Sequence, residues 1–285
     1  MTVVRGSYDE RRRAELGAFL RARREEIRPA DVGLAPGPRR RTPGLRREEV
    51  AQLAGVGVTW YTWLEQGRPI NVSTQVLDAI ARVLGLGSAE RWHLYRLAEV
   101  PGVAPTTACA EPVDADAVGV LNALSPTPAT VYNGKYDLIA WNDAYAALFP
   151  FQVRAEGMER NALHAVFRYK DTTPICDPPI LEHMVAVARA NYARHVGEPE
   201  WEDWVAQMCE LSSDFADCWA THRVAVPMPL VKSFRTLDGR TIDVRTSSYS
   251  VMGSSDYRMV VYMPNSACDA EAIAELLRAA ERASA

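Results

Sequence analysis

The chain has 285 residues, of which 48% are apolar and 24% charged. That length fills one large core or two ordinary ones, and the composition excludes disordered, collagen-like and coiled-coil chains. The net charge of −4 hides an asymmetry: residues 1–104 hold 17 Arg, no Lys and 12 acidic residues (net +5), while 105–285 hold 15 basic and 24 acidic residues (net −9). A basic first part beside an acidic remainder points to a polyanion as the first part's partner. The longest uncharged stretch, 117–134, contains Pro126, Pro128 and Asn122. It does not supply the run of about 20 apolar residues that a spanning helix needs. The start is Arg-rich without an apolar signal core, so a cytoplasmic chain with no membrane contact is expected. The five cysteines are irregularly spaced with no C-x-x-C, which argues for reduced thiols.

In chain order, residues 9–28 predict an amphipathic helix carrying Leu16, Phe19, Leu20 and Ile27 on one face. Residues 29–43 read as a loop, with four Pro, two Gly and the run Arg39-Arg40-Arg41. Two short helices follow, 45–55 and 57–67, each stopped by glycine. Ser73 caps a helix carrying Val76, Leu77, Ile80, Val83 and Leu84, and 88–100 forms another. The proline-bearing stretch 101–112 is the expected boundary between domains 1–104 and 105–285. Beyond it, 130–133 and 137–142 predict a hairpin across Asn133-Gly134. Helices are expected at 143–148, 161–168, 179–196, 201–211 and 213–222. The period then changes to two over 230–237, 240–250 and 257–264, three antiparallel strands, before a final helix at 269–284. The expected fold is an all-α five-helix domain followed by an α+β domain with one antiparallel five-stranded sheet.

The sharpest motif is RTPGLRREEVAQLAGVGVTWYTWLEQGR at 41–68. It reads as a helix-turn-helix. Small Ala51 admits a close helix crossing, Gly55 permits a turn with positive φ, and Val56 plugs the space between. Tyr61 and Leu64 point inward, which leaves Val58, Thr59, Thr62 and Trp63 outward to meet base edges in a major groove. Arg39, Arg40, Arg41, Arg46 and Arg47 stand where phosphates lie. The competing reading is an ordinary helical bundle with a solvated Arg-rich face.

This string resembles the phage-repressor (Xre-type) helix-turn-helix over residues 10–100, and GLRREEVAQLAGV…WYTWLEQGR is similar to the branch that carries a MmyB-like C-terminal domain. The second half matches as well: TPATVYNGKYDLIAWNDAYAALF, ERNALHAVF and LSSDFADCWATHRV resemble that family's first hairpin and following helices. The resemblance implies a dimer that binds a double-stranded operator. It also implies a PAS-like second domain with a hydrophobic pocket able to hold a fatty acid or similar molecule. Two departures stand out: Gly57 replaces a capping Ser, and Trp63 replaces Arg or another polar residue. Trp63 cannot make the bidentate Arg–guanine contact, so the family's operator does not transfer.

No metal-ligand spacing, nucleophile elbow, P-loop or dinucleotide fingerprint occurs in the second half, so neither an enzyme nor a cofactor is expected beyond a bound apolar ligand. Trp141, Phe167, Met184, Trp204, Met208, Phe215 and Trp219 fit either a plain core or a cavity lining. The resemblance favours the cavity, with Asn142, Arg160, His222 or Arg223 as polar anchor, an Arg suiting an anionic headgroup. The function expected is a ligand-responsive transcription regulator. The alternatives are a second half serving only dimerisation or protein contact, and a fused enzyme.

Overall fold

The computed structural model describes residues 2–34, 44–99, 113–169, 178–236, 239–251 and 257–284. The chain divides into two compact units. One comprises Met1–Ala104 with Tyr192–Ala206 and Asp217–Ala225, the other Pro105–Asn191, Gln207–Ala216 and Val226–Ala285.

The first unit is helical. It contains α1 (Thr2–Glu26), α2 (Arg47–Ala54), α3 (Val58–Glu65), α4 (Thr74–Val83) and α5 (Ser88–Leu97). The apolar face of α1 is buried as its periodicity requires: Leu16, Phe19 and Leu20 lie in a core with Val50, Tyr61, Leu64, Leu77, Ile80 and Leu94. Gly17 lets α1 meet α3, since a Cβ there would sit 2.3 Å from the Glu65 carbonyl oxygen. Gly55 ends α2 at φ 71°, the left-handed cap that glycine adopts without strain. Ser73 caps α4, its side chain accepting from the Val76 amide. The predicted loop after α1 opens with a 3-10 turn, Pro29–Val32.

The same unit takes in parts of two later helices, α11 (Pro199–Leu211) and α12 (Ser213–Ala220). Arg23 donates to the Thr221 carbonyl at 2.8 Å, His222 Nδ1 lies 3.3 Å from Glu15, and Arg223 stands 3.9 Å from Glu26.

The second unit is α+β. Its strands are β1 (Ala129–Tyr132), β2 (Leu138–Trp141), β3 (Leu230–Arg235), β4 (Thr241–Ser250) and β5 (Arg258–Pro264). They form one antiparallel sheet in the order β2-β1-β5-β4-β3. The helices are α6 (Ala115–Ala123), α7 (Asp143–Leu148), α8 (Pro150–Arg154), α9 (Ala162–Arg168), α10 (Pro178–Tyr192) and α13 (Ala267–Ser284). The expected five-stranded sheet is present, and α6 and α8 are helices that periodicity did not announce.

Strand alternation divides the sheet into two faces. On one, Ala129, Val131, Met259 and Val261 pack with Leu121 of α6. On the other, Tyr132, Lys232, Phe234, Val260 and Tyr262 border open space. Asn142 ties hairpin to helix. Its Oδ1 accepts from the Ala129 and Tyr145 amides, and its Nδ2 donates to the carbonyls of Leu121 and Thr127. Asn161 does the same one helix later, capping α9 and bonding Asp137.

Candidate functional site

The first candidate site is the outer face of α3. Tyr61 and Leu64 are buried, whereas Val58, Thr59 and Trp63 are exposed and Thr62 is half-buried. These are the four residues that the sequence sets at base edges. Gly57 at the N-cap offers no side chain to the free amides, which leaves the start of α3 open to an acceptor from outside. Arg68 stands over the Trp63 ring, its guanidinium carbon 5.7 Å from the centroid.

Of the five arginines expected on phosphate, Arg39, Arg40 and Arg41 lie outside the described residues. Arg46 precedes α2, with its backbone amide donating to Glu49 and its side chain 3.4 Å from Glu48, half-exposed. Arg47 is engaged inward, its Nε donating to Glu65 at 2.9 Å. Glu65 has no exposed side-chain surface. It also receives Arg24 in a two-pronged bond, both contacts 2.8 Å, and Arg24 donates further to the Leu45 carbonyl. Burial pushes the Glu65 carboxyl up, but hydrogen bonds and charge from Arg24 and then Arg47 outweigh it and hold the group below the usual carboxylate range. The motif's two helices are thus pinned to α1 by one buried carboxylate. The signal for it in the sequence is an acidic residue in the register of Tyr61 and Leu64.

The second candidate site is a cavity of about 750 Å³ against the inner face of the sheet, within the size range of small-molecule pockets. The sheet contributes Tyr132, Lys232, Phe234, Arg258 and Tyr262. Helices α7 and α8 contribute Tyr145, Leu148 and Gln152, α9 contributes Ala165 and Val166, and α10 contributes His183, Met184 and Val187. Three hydroxyls form a chain there. Tyr262 lies 3.0 Å from Tyr132, Tyr132 lies 2.8 Å from Tyr145, and Tyr145 donates to Gln152 Oε1 at 2.8 Å. Since Tyr145 spends its proton on Gln152, Tyr132 donates to Tyr145 and Tyr262 to Tyr132. Burial raises all three phenols well above their ordinary values. The Gln152 amide nitrogen is buried with no partner.

Among the residues that the sequence assigns to the pocket, Met184 lines this cavity, and the other lining candidates and anchors are not among its walls. Trp141 lies under Arg160, which also donates to the Ala155 carbonyl. Phe167 and Phe215 meet edge to face at 5.5 Å, and Met208 is fully buried. Trp204 and Trp219 belong to the helical unit, in a ring cluster with Tyr192 and Trp201. Asn142 uses its whole amide on the hairpin and cap, and His222 and Arg223 face Glu15 and Glu26 of α1. Aromatic and Met density does not single out Lys232 and Arg258, but strand parity does: Lys232 shares a face with Leu230 and Phe234, and Arg258 with Val260 and Tyr262, so both cations sit at inward strand positions.

A helix-turn-helix with an exposed second helix, followed in the chain by a PAS-like domain holding an aromatic cavity, defines a ligand-responsive transcription regulator that binds DNA. Residues 15–94 match the model of a helix-turn-helix domain, and residues 113–277 match that of the MmyB-like transcription regulator ligand binding domain. The chain belongs to the MmyB-like transcription regulators. No curated protein matches it. Among the described residues no His, Cys, Asp and Glu group is arranged to hold a metal, and no helix is long and apolar enough to cross a membrane.

Proposed function

We propose that this is a cytoplasmic one-component regulator. It binds a pseudo-palindromic operator as a homodimer, and a small, mainly apolar molecule in the cavity shifts the population competent for DNA. In this reading residues 1–104 read DNA and 105–285 sense the ligand. The observation that carries it is the coexistence of two prepared surfaces: the exposed Val58-Thr59-Thr62-Trp63 face and a 750 Å³ cavity walled by aromatic rings and Met184. Arg46 and the 39–41 run supply phosphate contacts. The cavity's apolar walls suit a fatty acid or a flat apolar molecule, each buried methylene or ring carbon contributing up to about 0.8 kcal/mol. Coupling requires the ligand to bind the DNA-competent and incompetent states unequally.

The dimer reading is supported by the outer face of the sheet. Val231 pairs with Arg245 and Arg245 with Met263. Val231, Met263 and Tyr249 are 52%, 41% and 59% exposed, large apolar side chains set around Arg245 on the face opposite the cavity. Native mass spectrometry of the full chain, followed by organic extraction, tests both points. The expected result is a dimer that releases a small apolar compound. A monomer would remove the dimer from the reading, and a chain that takes up no apolar compound when titrated with candidates would remove the sensor.

A further inference from the structure

The cavity floor carries two positive charges that no described carboxylate neutralises. Lys232 points into the cavity from β3, and its nearest polar contact is the Met184 thioether, 3.8 Å from Nζ. A thioether is a weak acceptor. Arg258, on β5, holds its guanidinium carbon 3.9 Å from the Tyr136 ring centroid. No described carboxylate forms an ion pair with either. Glu159 is the lone acid among the described residues lining the cavity, and it bonds neither. Buried charge without a partner is costly, so proteins rarely keep it unless an opposite charge arrives from outside. Burial, and after it the Arg258 charge, pulls the Lys232 ammonium down to about 8, which marks how poorly its positive form is served by the cavity's own walls.

The space beside these cations is walled by rings. Phe149 lies 4.8 Å from Phe234 and 5.6 Å from Tyr262, and Phe234 is 6.0 Å from Tyr262, all at tilted or edge-on angles. Such a wall prefers a flat π-face over a flexible chain, because ring–ring contact adds to area burial and a rigid body loses little conformational freedom.

We propose that Lys232 and Arg258 form an anion subsite, and that the natural ligand is an aromatic carboxylic acid whose ring lies against Phe149, Phe234 and Tyr262. This rests on the reading of the cavity as a ligand site. The carboxylate takes a charge-assisted hydrogen bond from each cation, the strong kind. The buried Gln152 amide nitrogen is a spare donor for a further polar group on the ring.

The test is isothermal titration of the full chain with four probes: 2-naphthoate, its neutral isostere 2-naphthalenemethanol, decanoate and decanol. We expect 2-naphthoate to bind at least tenfold more tightly than the alcohol and more tightly than decanoate. Lys232→Met, which is isosteric and removes an unpaired charge, should bring the two naphthalenes within about twofold while alcohol binding persists. Lys232→Arg should retain the preference. Equal affinity for acid and alcohol in the parent chain would overturn the anion subsite. Decanoate binding more tightly than 2-naphthoate would overturn the aromatic class. Failure of all four probes to bind would overturn the cavity reading itself.

Discussion

Two charges in this chain, Glu65 fully buried and Lys232 half-buried, meet opposite fates. Glu65, in the helical unit, has no exposed side-chain surface and is gripped by Arg24 and Arg47. Lys232, in the α+β unit, faces a cavity with a thioether for company. Burial penalises both. In the first case the chain supplies the counter-charge itself, and the group serves to lock α3 against α1 and α2. In the second no described residue supplies it. A buried ion complete within its own fold is architecture, while one left incomplete beside a cavity is a request for a partner.

The largest expected effect breaks the first half of that contrast. Glu65→Ala leaves buried Arg24 with only the Leu45 carbonyl and the exposed Glu25 carboxylate and should cost about 3 kcal/mol, read as a lower midpoint in urea. The group's folded pKa lies below its unfolded value. Its stabilisation is therefore present above about pH 4.3 and is lost as pH falls through the folded value. An unchanged midpoint would show that the arginines find water and that the carboxylate is ornamental. Leu64→Ala, one residue earlier and 2% exposed, should lose about 2–5 kcal/mol by leaving a cavity in the core.

The second half breaks in the other direction. Lys232→Met should raise the stability of the ligand-free chain at pH 7 by about 1–3 kcal/mol, since an unsatisfied buried group disappears while the packing volume is kept. The groups facing Lys232 are Arg258 and His183, both basic, with the Met184 thioether. The folded value of about 8 lies below the unfolded value of about 10.4. Between those two the unfolded chain holds the extra proton, so the stability of the parent rises with pH across that window. Lys232→Met should lack this rise, and the two denaturation curves should converge by pH 10.4. A variant less stable than the parent at pH 7 would mean that Lys232 is paired after all.

How much of this was legible depends on the range of the interaction. The helix-turn-helix was readable because its cues are local: Gly55 at a turn, Ser73 at a cap, apolar residues at helical spacing. The sheet was readable from period-two runs, and its hairpin from Asn133-Gly134. The cavity lining was not, because aromatic density along the chain does not reveal which face a ring occupies. Trp204 and Trp219 are as apolar as any lining residue, yet they pack with Tyr192 and Trp201 in the helical unit. His222 and Arg223 looked like anchors by charge, but their partners Glu15 and Glu26 lie some 200 residues away in sequence. Helix α6 was hidden because its glycine, asparagine and scattered small residues carry little periodicity, and its identity rests on Leu121 meeting the sheet.

The smallest expected effect on folding carries the most information about DNA. Trp63 is 40% exposed, in the last turn of α3, with Arg68 over its ring. Trp63→Ala should shift stability by no more than about 0.5 kcal/mol, as at ordinary surface sites, while changing which operator sequences a selection experiment enriches. Arg46→Ala is its control. A phosphate contact carries no sequence information, so that variant should weaken binding to all duplexes alike and flatten the slope of log K against log salt by about 0.9. The two variants separate cleanly if α3 lies in the groove. If Trp63→Ala instead weakens every sequence equally and flattens the salt slope, the indole packs along the sugar–phosphate backbone, and base reading falls to Val58, Thr59 and Thr62 at the open N-terminal end of the helix.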